Sequence, residues 1–239
     1  MQIDTIGETG STNADLAARL LAGETLAEGY WLVADRQTAG RGRQGRQWLD
    51  TPGNFMGSTV VTLRADDPPA MQLSMVAALA LLETVMQRLA DPSRVRLKWP
   101  NDVLLDGAKF SGILLERVKD HAVIGIGVNL VAAPPVEGRE TRALSALGPA
   151  PQRDAFARDL AAAFASEVAR WRSHSGDDLR TRWLAAAHPL GTPLSVHDER
   201  GLAVSGQFAG LADDGALILR LDDGSQRVIH AGDVTEEKA

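Results

Sequence analysis

The sequence predicts an α+β protein, with a large unit over residues 1–189 built on a mixed, largely antiparallel sheet with flanking helices, and a small β-barrel over residues 190–239. Three observations predict this. Segments of helical apolar spacing alternate with short β-type runs through the larger unit. The stretch 95–129 reads as a β-meander. From Pro193 onward the chain breaks into short strands separated by Asp/Gly turns, the rhythm of a small barrel.

The elements follow in order. Ser11-Thr12-Asn13-Ala14-Asp15 supplies capping side chains for a helix running through Leu16, Leu20 and Leu21. Residues 30–34 form a strand leading into the loop Gly40-Arg41-Gly42-Arg43-Gln44-Gly45-Arg46-Gln47-Trp48, and residues 58–63 form the next strand. Met75, Leu79, Leu82, Met86 and Leu89 alternate spacings of four and three, which predicts one apolar face of a long helix between Pro69 and Asp91. Asp91-Pro92 ends it. The meander has strands at 95–99, 103–105, 110–116 and 123–128, with Asp106-Gly107 as a two-residue hairpin turn. After a loop with Pro134-Pro135 come helical patterns through Phe156, Leu160, Phe164, Val168 and Trp171, and through Leu179, Trp183 and Leu184; Pro189 and Gly191 close the second. The strands beyond are broken by Asp198-Glu199-Arg200-Gly201, Asp213-Asp214-Gly215 and Asp222-Asp223-Gly224, placing the boundary near Leu190.

At 239 residues and 44% hydrophobic content the chain can bury a sizeable core. The absence of cysteine excludes disulfides and thiolate zinc sites, and His121, His174, His188, His197 and His230 lack ligand spacing. No apolar run approaches the roughly 20 residues of a membrane span, and the N-terminus has no signal-peptide pattern, so a cytoplasmic protein is expected. A net charge of −6 argues against general nucleic-acid binding. Yet Arg36, Arg41, Arg43 and Arg46 fall in one stretch without an acid, which suits a small anionic ligand.

Alternating glycines let backbone N–H groups approach an anion, and arginines offer planar forks to carboxylate or phosphate oxygens. Taken alone, such a run also fits a solvated basic turn. Lys98-Trp99-Pro100-Asn101-Asp102 places a cation, an aromatic, an amide and a carboxylate at a strand end, suited to a nucleotide phosphate and its metal, although Pro-Asn-Asp is equally good turn chemistry and Trp99 could be core. Lys109 opens an apolar strand, either reaching to solvent or facing a substrate carboxylate.

With Ser11-Thr12-Asn13, Gln37, the arginine loop, Lys98 to Asp102, Lys109-Phe110-Ser111-Gly112-Ile113-Leu114 and Gly125-Ile126-Gly127-Val128-Asn129 in this order, the sequence resembles the biotin–protein ligases over most of residues 9–130. The resemblance implies a biotin/lipoate ligase-like catalytic domain followed by an SH3-like barrel. It implies a biotin site lined by Ser11, Thr12, Asn13, Gln37, Gly40, Arg41, Gly42, Arg43, Lys109 and Gly112. Arg41, Arg43, Arg46, Trp48, Lys98, Asn101 and Asn129 would bind ATP, Asp102 would serve Mg²⁺, and Arg43, Lys98, Asp102 and Lys109 would be catalytic. The implied reaction joins biotin to AMP and passes it to a lysine of a biotin carboxyl carrier protein. Only ten residues precede Ser11, so no DNA-binding helix-turn-helix and no DNA partner are expected. No membrane partner is expected either, and relatives occur as monomers and homodimers.

The sequence departs from the family pattern at Gln44, at Phe110-Ser111 and at Met56-Gly57-Ser58. A lipoate ligase or octanoyltransferase lacks this arginine loop beside Lys-Trp-Pro-Asn-Asp. A non-catalytic regulator on the same domain would be expected to lose Lys98 or Lys109, and both are present. A nucleic-acid module conflicts with the acidic net charge and with the paired acids in the barrel turns.

Overall fold

In a computed structural model, residues 2–173, 176–197 and 203–236 are described. The larger unit holds strands β1 (Ile3–Thr9), β2 (Trp31–Gln37), β3 (Phe55–Thr62), β4 (Val95–Lys98), β5 (Asp102–Leu105), β6 (Ala108–Val118) and β7 (His121–Val128). They form one sheet in the order β1-β2-β3-β7-β6-β5-β4, parallel only between β1 and β2. Its helices are α1 (Thr12–Leu21), α2 (Leu73–Met86), α3 (Arg153–Ser173) and α4 (Gly176–Ala185). Asp106 and Gly107, both at positive φ, make the predicted β5–β6 turn.

Strand alternation divides the core between the two faces of the sheet. On β3, Val61 joins the cluster containing α2, α3 and α4, whereas Val60 packs with Leu16 and Leu20 of α1; Ile124 and Val123 on β7 divide likewise. The face shared with α1 is covered by that single helix over part of its extent, and the remainder opens into a cavity.

The helices α3 and α4 bury the predicted Phe156, Leu160, Phe164, Val168, Trp171, Leu179 and Trp183. One expectation needs correction. The helix expected between Pro69 and Asp91 has no single apolar face: α2 is shorter and buried almost all round, including Val76, Ala77, Ala80 and Leu81, because it lies between the sheet and α3. Met86 lies at its partly exposed end. The expected first helix is α1, capped by the Ser11 hydroxyl, which accepts from Ala14 N; it buries Leu16 and Leu20 and ends on the exposed Leu21. Strand β1 was not anticipated, since its polar sequence lies at a sheet edge and pairs only with β2.

The C-terminal unit is the expected small SH3-like antiparallel arrangement, with β8 (Pro193–His197), β9 (Ala203–Leu211), β10 (Leu217–Arg220), β11 (Gln226–Ile229) and β12 (Asp233–Glu236) in the order β11-β10-β9-β8-β12. Gly215 and Gly224 take positive φ in the predicted acidic turns; the turn at 198–201 lies outside the described residues. The two units share one core, because Leu194, Val196 and Phe208 pack in the same cluster as α2 and α4. Trp99 Nε1 donates to Gly215 O (3.0 Å) and Gln72 Nε2 to Asp213 O (2.6 Å), so the contact is polar at its edge. No helix among the described residues is long and apolar enough to cross a membrane.

Candidate active site

The cavity on the α1 face has a volume of about 630 Å³. Its floor follows from strand register. Lys98 pairs with Asp102, Asp102 with Gly112, Gly112 with Gly127, and Gly127 with Met56, so one transverse row runs across five strands. A bulge in the β5–β6 ladder pairs Leu104 with Lys109 but Val103 with Ser111, inserting Phe110 as an extra residue. Lys109 and Gly112, three apart, therefore share the cavity face, and Lys109 Nζ lies 3.1 Å from where a Gly112 Cβ would sit. On β7 the alternation of Gly125 and Gly127 with Ile124, Ile126 and Val128 points aliphatics into the core and leaves a bare floor on the other side.

The arginine loop folds over this floor as a tight hairpin. Trp48 N donates to Gly40 O (2.9 Å), Gly42 N donates to Arg46 O (2.7 Å), and the bend places Gln44 and Gly45 at positive φ. Trp48 lies across both glycines: a Cβ on Gly127 would be 2.4 Å from its indole, and one on Gly112 would be 3.2 Å away. Its Nε1 is buried and has no hydrogen-bond partner among the described residues.

One region of the cavity is a neutral hydrogen-bonding cluster. Gln37 Oε1 accepts from Thr12 N (2.7 Å) and Thr12 Oγ1 (3.0 Å), and Thr12 Oγ1 lies 2.7 Å from Ser58 Oγ. Asn13 Nδ2 donates to Glu116 Oε2 (2.6 Å). Along β7, past Trp48, the lining becomes cationic. Lys109 is ion-paired to Asp102, whose second oxygen lies 3.5 Å from Arg139 Nη1. Arg43 Nη1 donates to Asn101 Oδ1 (3.4 Å), while Asn101 Nδ2 donates to Ile113 O (2.7 Å).

Burial pushes the Lys98 and Lys109 ammonium groups below the ordinary lysine range; Asp102 acts in the opposite direction on both. Their charge is therefore lost at a lower pH than that of an exposed lysine. An activity that needs these cations should fall with rising pH before about 10.4, the reference lysine value. The expected result is an alkaline limb in the kcat/KM profile for the acid substrate that moves to higher pH in Lys109→Arg. An unmoved limb would assign it to another group.

Among the predicted residues, Ser11, Thr12, Asn13, Gln37, Arg41, Gly42, Arg43, Arg46, Trp48, Lys98, Asn101, Asp102, Lys109, Gly112 and Asn129 all line this one cavity. Gly40 sits behind the lining, where a Cβ would meet Trp48 O at 2.7 Å; its bareness lets the hairpin close. Of the four clustered arginines, Arg36 faces away from the cavity and pairs with Glu8 and Asp50. Arg46 pairs with Asp233 of the C-terminal unit, which with Val234 completes the wall. Burial raises the Asp233 carboxyl, but the Arg46 guanidinium together with Arg43 and Arg139 outweighs it and holds the group below its usual range.

Sequence reasoning missed several contributors. Asn54 Oδ1 accepts from Val131 N (2.9 Å) and Ala132 N (3.2 Å), and Asn54 Nδ2 reaches Asn129 Oδ1 (3.4 Å), so this buried residue orients Asn129. In the sequence Thr51-Pro52-Gly53-Asn54 reads only as turn residues flanking the loop. Arg139 and Asp233 enter from distant segments with no local signal. Gly125 and Gly127 could have been found from the period-two alternation of bare and aliphatic positions.

Residues 9–129 match the biotin/lipoate A/B protein ligase family and residues 196–235 the biotin protein ligase C-terminal domain. The chain is 41% identical to a biotin–[acetyl-CoA-carboxylase] ligase of Paracoccus denitrificans, over 96% of this chain and 98% of that protein. It is 37% identical to the ligase of the same description from Mycobacterium tuberculosis, over 98% and 88% respectively. The structure is similar to the biotin protein ligase of Aquifex aeolicus in complex with biotin and ATP, with a TM-score of 0.85 and 25% identity, covering 100% of this chain and 99% of the other. With its motifs gathered around one cavity and both of its units matched, the chain belongs to the biotin/lipoate A/B protein ligase family, and within it to the biotin protein ligases.

Proposed function

We propose that the protein activates biotin with ATP and transfers it to a lysine of a biotin carboxyl carrier protein domain. The observation that carries this reading is a single cavity in which a neutral donor–acceptor cluster, Thr12, Asn13 and Gln37, and a cationic cluster, Lys98, Lys109 and Arg43, flank the glycine floor under Trp48. Biotin has a neutral ureido ring at one end and a carboxylate at the other.

In the first step a biotin carboxylate oxygen attacks the α-phosphorus of ATP and the bond to pyrophosphate breaks, giving biotinyl-5′-AMP. Two anions meet, so Arg43, Lys98 and Lys109 offset their repulsion and stabilise the charge that grows on phosphorus. Asn101, Asn129, Arg41, Arg46 and Trp48 hold the nucleotide. In the second step the carrier lysine, as a free amine, attacks the acyl carbon, AMP leaves, and the amine proton passes to solvent or phosphate. The loop over the floor excludes water from the adenylate in the interval.

No group of three or more His, Asp or Glu side chains that could hold a metal gathers among the described residues, and Asp102 is engaged by Lys109 and Arg139. That donor set fits a Mg²⁺ ion carried in on nucleotide phosphates and water, with Asp102 as its neighbouring carboxylate. Bound there, the ion would neutralise phosphate charge.

Purified protein with Mg²⁺ and ATP should exchange labelled pyrophosphate with biotin and should label a carrier domain; lipoate and octanoate should do neither. Absence of biotin-dependent exchange would overturn the proposal. Arg43→Gly should let the adenylate escape, read as carrier-independent biotinylation of bystander amines. Retention equal to wild type would remove Arg43 from the gating role.

A further inference from the structure

We infer that Glu116 is a positioning residue that fixes the polarity with which the site reads the ureido ring; this rests on the biotin reading above. Glu116 lies on β6 on the face shared with Gly112, and its Oε2 accepts from Asn13 Nδ2 (2.6 Å). An ionised carboxylate only accepts, so the Asn13 group facing it must be the NH₂. Asn13 Oδ1 is thereby turned away from Glu116 and lies over Gly125, where a Cβ would come within 2.6 Å of it. This oxygen is buried and has no partner among the described residues, and both Asn13 and Gly125 line the cavity. A buried acceptor without a donor is costly, and a ligand N–H satisfies it.

Gln37 is fixed in the complementary sense. Two bonds from Thr12 occupy its Oε1, so its Nε2 is directed as a donor toward the turn at Gly40. A ring carrying N–H donors therefore meets one preset acceptor, Asn13 Oδ1, beside a Gln37 whose own oxygen is already taken. Arg41 of the loop reaches the same Glu116 oxygen at 3.5 Å, so the carboxylate also ties the covering hairpin to the ureido end.

The test compares biotin with the two cyclic-carbamate analogues in which one or the other ring N–H is replaced by oxygen, binding each to the full chain by calorimetry without ATP. Wild type should prefer biotin over one of the analogues by about tenfold or more, the loss expected when a buried acceptor is left unpaired. In Glu116→Ala, biotin should bind roughly 10- to 100-fold more weakly, and the preference should shrink to within about threefold, because the Asn13 amide can turn over. Glu116→Gln, isosteric and able to present either a donor or an acceptor, should narrow the preference while keeping the thermal midpoint of wild type. It decides the matter should the alanine variant not fold. Nucleotide affinity should fall by less than biotin affinity in both variants, since only the Arg41 contact links Glu116 to that end of the site.

An unchanged preference in Glu116→Gln would overturn the inference, as would a loss of ATP affinity equal to that for biotin. Wild-type protein that binds biotin selectively but makes no adenylate would instead overturn the proposed reaction and leave the role of Glu116 standing.

Discussion

Lys109→Met is expected to slow adenylate formation by at least about 100-fold, the usual cost of removing one charge-stabilising contact. The effect has two parts with the same sign. The substitution removes a cation aligned with Gly112 on the cavity face, and it exposes the substrate carboxylate to Asp102, which is 9% exposed and would keep Arg139 at 3.5 Å. Repulsion between two such anions 4 Å apart is worth about 4 kcal/mol at an effective dielectric constant near 20. The same change breaks a largely buried ion pair and should lower stability by about 3 kcal/mol. Measuring pyrophosphate exchange and the thermal midpoint together separates these parts. Adding Asp102→Asn to Lys109→Met should restore much of the midpoint and the share of the exchange lost to repulsion, leaving the loss due to the missing cation. If Lys109→Met alone kept activity within tenfold of wild type, Lys109 would be structural only.

Gly127→Ala is the second large effect. Its Cβ would sit 2.4 Å from Trp48 Cε2 and 2.7 Å from Cζ2 and Nε1, so the indole must leave the floor. Trp48 is tied through its own backbone to Gly40, hence the displacement travels into the arginine hairpin that carries Arg41 and Arg43. Misplacement of about 1 Å at such groups costs up to about 100-fold in rate, whereas overpacking costs only about 1–3 kcal/mol in stability. The expected result is a folded protein with KM for biotin raised at least about tenfold. In a Trp48→Ala background the same Gly127→Ala change should cost little, since the clash has gone. Additive losses in the double variant would place the effect elsewhere.

How much of this was readable beforehand differs between the fold and the site. The meander, α3 and α4 were legible because their apolar periods match their final faces. α2 misled because a helix buried on all sides has apolar residues at every spacing, so a single-face reading selects a subset. The polar edge strand β1 carried no period at all. At the site, the Gly/Arg loop, Lys98 to Asp102 and Lys109 were readable as residue types suited to anions. Glu116, Asn54, Arg139 and Asp233 were not, because each acts through partners far away in the chain and none has a distinctive local pattern.

The sequence by itself determined which chemistry was available: glycines where backbone must lie bare, arginines and lysines for anions, and short polar side chains at the start of α1. Only the tertiary structure decided which of these groups meet. Strict alternation would place Lys109 and Gly112 on opposite faces of β6; one extra residue at the bulge reverses that and sets Lys109 on the same face as the row of Lys98, Asp102, Gly112 and Gly127. Register is a property of paired strands, and Asp233 reaches Arg46 only because the C-terminal sheet shares a core with α2 and α4. Neither fact exists in a single segment, and together they turn a basic loop into the cover of a cavity.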